Sequence, residues 1–417
     1  LNDEQLLEKT EYATLFWGDD ETNVEYGKLY ELRFDVLRIA FRRFCKAPNT
    51  QYEAYKQDNS FWLCDYALYM AIKDENGGVS WQEWDETIKV RDKETIELKR
   101  SRLKDEIEFW SFVQYEFYKQ FYKLKAYANA NEIKIIGDIP IYVALDSADV
   151  WASPELFLLD KDLKPIEVAG CPPDYFSKTG QLWGNPLYNW DNMKKTGFDW
   201  WVKRVLAATK TYDAVRIDHF RGFESFYAVP AKDETAQNGV WRKGPDLELF
   251  EVIKAKLNNP NIIAEDLGYI TEPVKKLLEA TGYPGMKVLQ FAFDSGEENN
   301  YLPHNFNKNC ICYTGTHDND TITGWLDTIN TSDLNYLMEY LNVKNKADCV
   351  YGLIRLAIAS VADTAITTMQ DLLELPTECR MNIPSTAQGN WRWRGKKSQF
   401  TSKLSEKINS LTKLYGR

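Results

Sequence analysis

Three acidic residues stand at the ends of short apolar runs, each inside a polar signature. Asp218 lies in Tyr212-Asp-Ala-Val-Arg-Ile-Asp-His-Phe-Arg-Gly222, Glu265 in Asn261-Ile-Ile-Ala-Glu-Asp-Leu-Gly268, and Asp318 in Cys312-Tyr-Thr-Gly-Thr-His-Asp-Asn-Asp-Thr321. Apolar runs of this length read as buried parallel strands, and Gly or turn residues close each one. Carboxylates at the C-terminal ends of successive barrel strands meet at one mouth, where barrel enzymes do their chemistry. Paired carboxylates there suit cleavage of a glycosidic bond: one attacks the sugar carbon while the other protonates the leaving oxygen.

The neighbours of each acid bear on that reading. Arg216 precedes Asp218 by two, so on a strand both side chains share a face. A guanidinium beside a carboxylate favours the ionised form, which a nucleophile needs. A lone Arg-x-Asp is also an ordinary structural ion pair. However, His occurs only three times in the chain, and His219 and His317 each adjoin one of the three acids. Glu265 emerges from Ile262-Ile-Ala264, an apolar wall where lost hydration favours the protonated acid; Asp266 should point to the opposite face. A carboxyl near the Gly268 turn is equally a capping group. Asp318 and His317 are suited to gripping sugar hydroxyls, although Asn319 and Asp320 also permit a plain Asx turn. Asp138, in Gly137-Asp-Ile-Pro140, stands at another strand end and could hold Arg216 or substrate. Trp183 and Tyr188, in Gln181-Leu-Trp-Gly-Asn-Pro-Leu-Tyr188, are candidate aromatic platforms for sugar rings, or else core aromatics.

The elements that must position these residues follow from periodicity. Residues 1–130 read as a mainly helical subdomain. Helices are expected over Tyr26–Phe44, Phe61–Ile72 and Ser101–Asn129, with Asn76-Gly-Gly78 as a break. From 131 to 417 the pattern changes to β–α alternation. Strands are expected at 133–143, 212–218, 261–266, 286–293, 310–316 and 364–370, and helices at 197–210, 246–258, 271–281 and 350–361. A loop-rich insertion covers 144–196. Alternation of this kind implies a parallel sheet with helical crossovers. A closed (β/α)8 TIM barrel has eight strands, so this α/β chain reads as a barrel without its first strands, with 133–143 and 364–370 as the flanks.

Composition narrows the function. The 51 Lys and Arg against 62 Asp and Glu give a net charge of −11, which argues against nucleic acid or an anionic membrane as partner. No signal peptide or bilayer-length apolar run is evident. Seven scattered cysteines, with Cys310 and Cys312 on one strand face, suit core packing in a reducing cytoplasm better than a metal site. Aromatic residues make up 14% of the chain, enough for a large core and a sugar-binding groove together.

In their order along the chain, these segments resemble the 4-α-glucanotransferases (amylomaltase, or disproportionating enzyme) of glycoside hydrolase family 77. The resemblance runs through Val24-Glu-Tyr-Gly-Lys-Leu-Tyr30, Gly137-Asp-Ile-Pro-Ile-Tyr-Val-Ala144, Pro172-Pro-Asp-Tyr-Phe176, Gly180–Tyr188, the three acidic signatures, Gln370-Asp-Leu-Leu373 and Arg380-Met-Asn-Ile-Pro384. It implies that Asp218 is the nucleophile, Glu265 the general acid/base and Asp318 the transition-state stabiliser. It further implies that Arg216, His219, His317 and Asp138 surround the reacting sugar, and that Tyr26, Gln181, Trp183 and Asn382 line the glucan groove. The implied reaction moves a segment of an α-1,4-glucan, malto-oligosaccharide or starch or glycogen, to an acceptor by a retaining route. That route sets the two reacting carboxyls about 5–5.5 Å apart. No metal or organic cofactor is implied. The same trio serves hydrolases and branching enzymes of the α-amylase clan. Family members also begin with a segment carrying the first strands, for which this chain has no counterpart; an inactive glucan-binding chain is therefore a further alternative.

Overall fold

The computed structural model describes residues 1–173, 177–268, 270–294 and 299–417. Asp174, Tyr175 and Phe176, from the Pro172–Phe176 signature, lie outside the described residues. The chain divides into two compact units. One holds Leu1–Leu15 and Leu29–Ile262; the other holds Phe16–Lys28 and Ile263–Arg417. Among the described residues there are ten strands: β1 (Ile136–Ile139), β2 (Glu167–Cys171), β3 (Gln181–Pro186), β4 (Ala214–Ile217), β5 (Ser225–Pro230), β6 (Val240–Lys243), β7 (Ile262–Ala264), β8 (Gly285–Val288), β9 (Cys310–Tyr313) and β10 (Thr364–Ile366).

The first unit opens with helices, as the apolar spacing predicts. The helix Tyr26–Phe44 turns Phe34, Leu37 and Phe41 onto the buried Phe109 and Trp110 of the long helix Lys104–Ala130, with Ala67 and Ala71 of helix Ser60–Glu75 filling the gap. Arg38 closes this layer from outside with a two-pronged bridge to Glu106, at 2.8 and 3.1 Å. Helix Ser60–Glu75 stops where Gly77 and Gly78 take positive φ, +67° and +82°, a conformation open to glycine because it has no Cβ.

Beyond the helices, β1 and β4 pair in parallel with Asp138 opposite Arg216. The Val215 N–H donates to the Asn261 carbonyl at 2.9 Å, which lays the entry to β7 beside β4. The region expected to be loop, 144–196, departs from that expectation. It contains β2 and β3, which join β5 and β6 in a four-stranded antiparallel sheet ordered β3-β2-β5-β6. Gly170, Gly184 and Pro186 weaken strand propensity in this stretch. The ladder forms because β5, far along the chain, supplies the backbone partners. Gly170 is itself needed there, since a Cβ would sit 2.4 Å from the Gln181 carbonyl oxygen.

In the second unit β8, β9 and β10 are parallel, in the order β10-β9-β8. The Ala264 N–H of β7 donates to the Pro284 carbonyl at 3.0 Å and so adjoins β8. Cys310 and Cys312 of β9 face a buried core with Leu289, Phe293, Leu353, Ile354 and Leu411. Burial pushes the two thiols up, to about 11 and about 12, which marks them as inert packing groups. β8 is shorter than expected: Leu289–Phe291 turns as a 3-10 helix. No helix among the described residues is long and apolar enough to cross a membrane.

Candidate active site

The candidate residues fall in both units. In the first, β4 is buried along its whole length, and Arg216 is the buried cation within it. Its guanidinium spans two acids: Nη1 bridges to the Asp138 carboxylate on β1, and Nη2 lies 3.0 Å from Asp218 Oδ1. Only 8% of the Arg216 side chain is exposed, against 40% for Asp138 and 41% for Asp218. The positive charge is therefore fixed beneath two carboxylates that face solvent. The Asp218 N–H donates to the Ile139 carbonyl at 3.0 Å, so the acid sits one step past the strand and inherits its rigidity.

His219 then turns the chain sharply, at φ +51°. Its ring meets Trp183 edge-on, at 4.8 Å and 88°. Gly222 leaves room for this turn, since a Cβ there would lie 2.6 Å from Ile141 Cδ1 and 3.1 Å from His219 Cδ2. Loss of water, and secondarily the charge on Arg221, push the imidazole down to about 3. The ring is thus neutral at physiological pH and offers one N–H donor and one acceptor. Gln181 and Trp183 lie two apart on β3 and so share a face; the indole N–H donates to Gln181 Oε1 at 3.2 Å. Of the two readings open for Tyr188, sugar platform or core aromatic, the structure gives the core one. It is buried, its hydroxyl donates to the Ile141 carbonyl at 2.7 Å, and Arg204 donates to that hydroxyl at 3.1 Å.

In the second unit Glu265 follows β7 and is buried, with Oε1 accepting the Leu267 N–H at 2.8 Å. Asp266 goes elsewhere: it accepts the Met286 N–H at 2.6 Å, and burial raises its pKa despite that bond. Gly285 makes the approach possible, because a Cβ would lie 2.7 Å from the Asp266 carboxylate. The two adjacent acids thus have different partners: Asp266 bolts β8 in place, while Glu265 accepts from the backbone of its own loop.

Asp318 stands in a turn beyond β9. Asn319 Oδ1 accepts from both the N–H and the hydroxyl of Thr316 at 2.9 Å, and the Asp318 N–H donates to the Thr316 hydroxyl at 3.2 Å. The Asp318 carboxylate accepts Asn382 Nδ2 at 2.6 Å and lies 3.5 Å from His317 Nε2. Asn382 also donates its backbone N–H to the His317 carbonyl, at 3.1 Å. Arg380 donates to the carbonyls of Asp318 and Asn382. Tyr26 is exposed, and its hydroxyl donates to the Trp391 carbonyl at 2.6 Å; the Trp391 ring lies 5.0 Å from that of His317. Arg380 and Trp391 were not singled out from the sequence. Arg380 was visible inside the Arg380–Pro384 segment, whereas for Trp391 the only signal was the aromatic-basic run Asn390-Trp-Arg-Trp-Arg394. No cluster of His, Cys, Asp or Glu among the described residues could hold a metal ion.

The family model for 4-alpha-glucanotransferase matches residues 1–399. The chain belongs to the 4-alpha-glucanotransferase family. It is 48% identical over 419 residues to the 4-alpha-glucanotransferase of Clostridium butyricum, covering all of this chain and 86% of that protein. It is 46% identical to the 4-alpha-glucanotransferase of Streptococcus pneumoniae, covering all of this chain and 83% of that one. Among solved structures it is similar to the amylomaltase from Streptococcus agalactiae in complex with acarbose, with a TM-score of 0.97 and 41% identity over all of this chain and 85% of that one. In this member of the 4-alpha-glucanotransferase family, Asp138, Asp218 and Asp318 each present a half-exposed carboxylate held by a nitrogen donor. Such groups can accept hydrogen bonds from hydroxyls or, where ionised and aimed, attack an electrophilic carbon.

Proposed function

We propose that the chain breaks an α-1,4 bond in a malto-oligosaccharide or a starch- or glycogen-type glucan, and remakes it on the 4-hydroxyl of an acceptor glucan or glucose. The route is a retaining double displacement. An Asp218 carboxylate oxygen attacks the anomeric carbon, the bond to the 4-oxygen breaks, and the Glu265 carboxyl gives that oxygen its proton. The acceptor hydroxyl then loses its proton to Glu265 and attacks the same carbon, which releases Asp218. Asp318 and His317 hold ring hydroxyls as the sugar distorts, and Asp138 and neutral His219 orient others. Trp183, Gln181, Tyr26 and Asn382 line the groove. No cofactor enters this scheme.

The observation that carries this reading is the Arg216 bridge, taken with family membership. A buried guanidinium beneath two solvent-facing carboxylates favours the ionised nucleophile, and it ties β4 to β1 at the level where Asp218 emerges. The parallel strand pairs and intervening helices support assigning both units to a (β/α)8 barrel. In that assignment 1–130 is a helical insertion subdomain, 131–417 is the barrel part, and 144–196 is an insertion bordering the active site. Seven free thiols support a reducing, cytoplasmic setting.

Incubation with maltotriose, followed by chromatography of the products, tests the function. Transfer gives a ladder of shorter and longer maltosaccharides with a constant number of reducing ends. A rising number of reducing ends without longer products would mean hydrolysis, and would overturn the proposal.

A further inference from the structure

The strap 380–391 carries an aromatic that the scheme above does not use. Trp391 is 47% exposed, yet its backbone is held on both sides of the peptide. It sits at φ +60°, a left-handed conformation that is strained for a bulky L-residue. Its N–H donates to the Met381 carbonyl at 2.6 Å, and its own carbonyl accepts the Tyr26 hydroxyl at 2.6 Å. The neck of the strap is closed where Asn390 Oδ1 accepts the Ile383 N–H at 2.9 Å. The residues that follow are pinned as well: the Val24 N–H donates to the Arg392 carbonyl at 2.7 Å, and the Arg394 N–H to the Thr22 carbonyl at 2.8 Å. Core packing does not account for this, because the ring stays in solvent with one face tilted at 42° over His317, 5.0 Å away. A strained backbone that persists because its surroundings over-determine it is a mark of a functional position. Next to the strap is a hollow of about 400 Å³, lined by Val24, Glu25, Tyr26, Gly27, Lys28 and Arg392. Its polar lining is the Lys28–Glu25 ion pair, the Arg392 guanidinium, whose Nε donates to the Val24 carbonyl, and the Tyr26 hydroxyl, which donates to the Trp391 carbonyl; their remaining donors and acceptors can meet hydroxyl groups.

We propose that Trp391 is a glucan platform: its exposed ring stacks on the apolar face of one glucose unit, while the adjoining hollow receives the hydroxyls of the next. This deepens the reading of the Asp318 site and rests on it. The platform extends the His317–Asp318 pair along the chain of an α-1,4-glucan. Trp391 therefore governs which glucan lengths are used, and it is not one of the reacting groups.

The test compares W391L, W391F, R392A and D318N in steady-state disproportionation of maltotriose and maltoheptaose, each variant checked for folding by thermal melting. The expected result for W391L is a KM for maltoheptaose raised about tenfold, the scale of losing one aromatic anchor, with kcat within about twofold and a smaller loss on maltotriose. W391F, which keeps a ring, should fall between W391L and the parent, and R392A should raise the maltoheptaose KM more modestly. Equal losses in kcat for both lengths, in W391L and W391F alike, would mean that Trp391 acts only by steadying His317, and would overturn the platform. An inactive D318N beside an unchanged W391L would overturn the platform and leave the Asp318 reading intact. A D318N that still turns over would overturn that reading and the platform with it. Should W391L fail to fold, an unchanged maltoheptaose KM in both W391F and R392A overturns the proposal, and a raised one in both sustains it.

Discussion

Asp218 and Asp318 are both half-exposed acids, and they are held in opposite ways. Asp218 is gripped by charge: a guanidinium rooted in β4, itself almost fully buried, reaches it at 3.0 Å. Asp318 is gripped by a neutral amide, Asn382 at 2.6 Å, from a loop that also wraps the His317 and Asp318 carbonyls. In the proposed scheme Asp218 carries the covalent bond, and that role needs its charge and its aim fixed by the sheet. A group that only strengthens its hydrogen bonds as a sugar distorts needs polarity that can follow the substrate, and a loop supplies that. The difference implies unequal losses when each grip is removed.

The largest effect should come from the acids themselves. Asp218→Asn should lower turnover by about 10⁴-fold or more with glucan affinity little changed, because the amide keeps the size and one acceptor oxygen but forms no ester. Glu265→Gln should cost about 10²–10⁴-fold on ordinary glucans and much less on α-maltosyl fluoride, whose leaving group departs without a proton. Rates with both donors check the assignment. Rescue of glycosyl-enzyme formation by the fluoride in Asp218→Asn, and not in Glu265→Gln, would reverse the two roles.

Arg216→Leu comes next. It leaves Asp138 and Asp218 facing one another without the cation between them, and repulsion should turn Asp218 off its line. Misplacement on this scale costs about 10²-fold. The expected outcome is a kcat loss of that order with KM little changed. A kcat within threefold of the parent would mean that β4 and β1 aim Asp218 without the guanidinium. Asn382→Ala should be milder, about 10–100-fold in kcat/KM, the usual worth of a hydrogen bond to a charged group. If the Asn382 loss equals the Arg216 loss, the contrast between a rigid and a compliant grip fails.

Part of this site was legible from the sequence. Arg216-Ile-Asp218 predicted a shared face because strand alternation is local, and Gly137-Asp-Ile-Pro140 read as a strand-end acid open to Arg216 or to substrate; it took the β1–β4 register to set it opposite Arg216. Cys310 and Cys312 read as packing by the same alternation. Asp318 was less legible: its apolar run ends at Tyr313, and the Thr316–Asn319 turn carries the acid beyond the strand. The antiparallel sheet was missed because Gly170 in β2 and Gly184, Asn185 and Pro186 in β3 interrupt the strand pattern, and β2 gains its order from the distant β5. The clamp on Trp391 was missed because its partners, Tyr26 and Met381, are set by tertiary contact, and no local spacing reports such pairs. Tyr188 stayed open between sugar platform and core aromatic, since nothing in its loop announced that Arg204 and the Ile141 carbonyl would draw its hydroxyl inward.

The smallest expected effect concerns the two histidines, which repeat the contrast. His317 sits under an exposed indole on the strap, whereas His219 is boxed edge-on against Trp183 and held down to about 3 by lost hydration and Arg221. In the unfolded chain the ordinary value is about 6.5. Between these values the unfolded state binds more protons, so stability is fully present above about pH 6.5 and is lost as pH falls toward 3. For this one group the loss is about 0.8 kcal/mol at pH 6 and about 2 kcal/mol at pH 5. Burial raises Asp266 and Asp371, which acts in the opposite sense, with stability gained as the pH falls. A comparison with His219→Gln cancels those terms, because both chains retain them. Urea melts at pH 8, 6 and 5 should therefore show the parent losing its advantage over His219→Gln by these amounts as the pH drops. Parallel curves for the two chains would mean that His219 accepts its proton freely in the folded state, and that the neutral donor assigned to it beside Asp218 is not there.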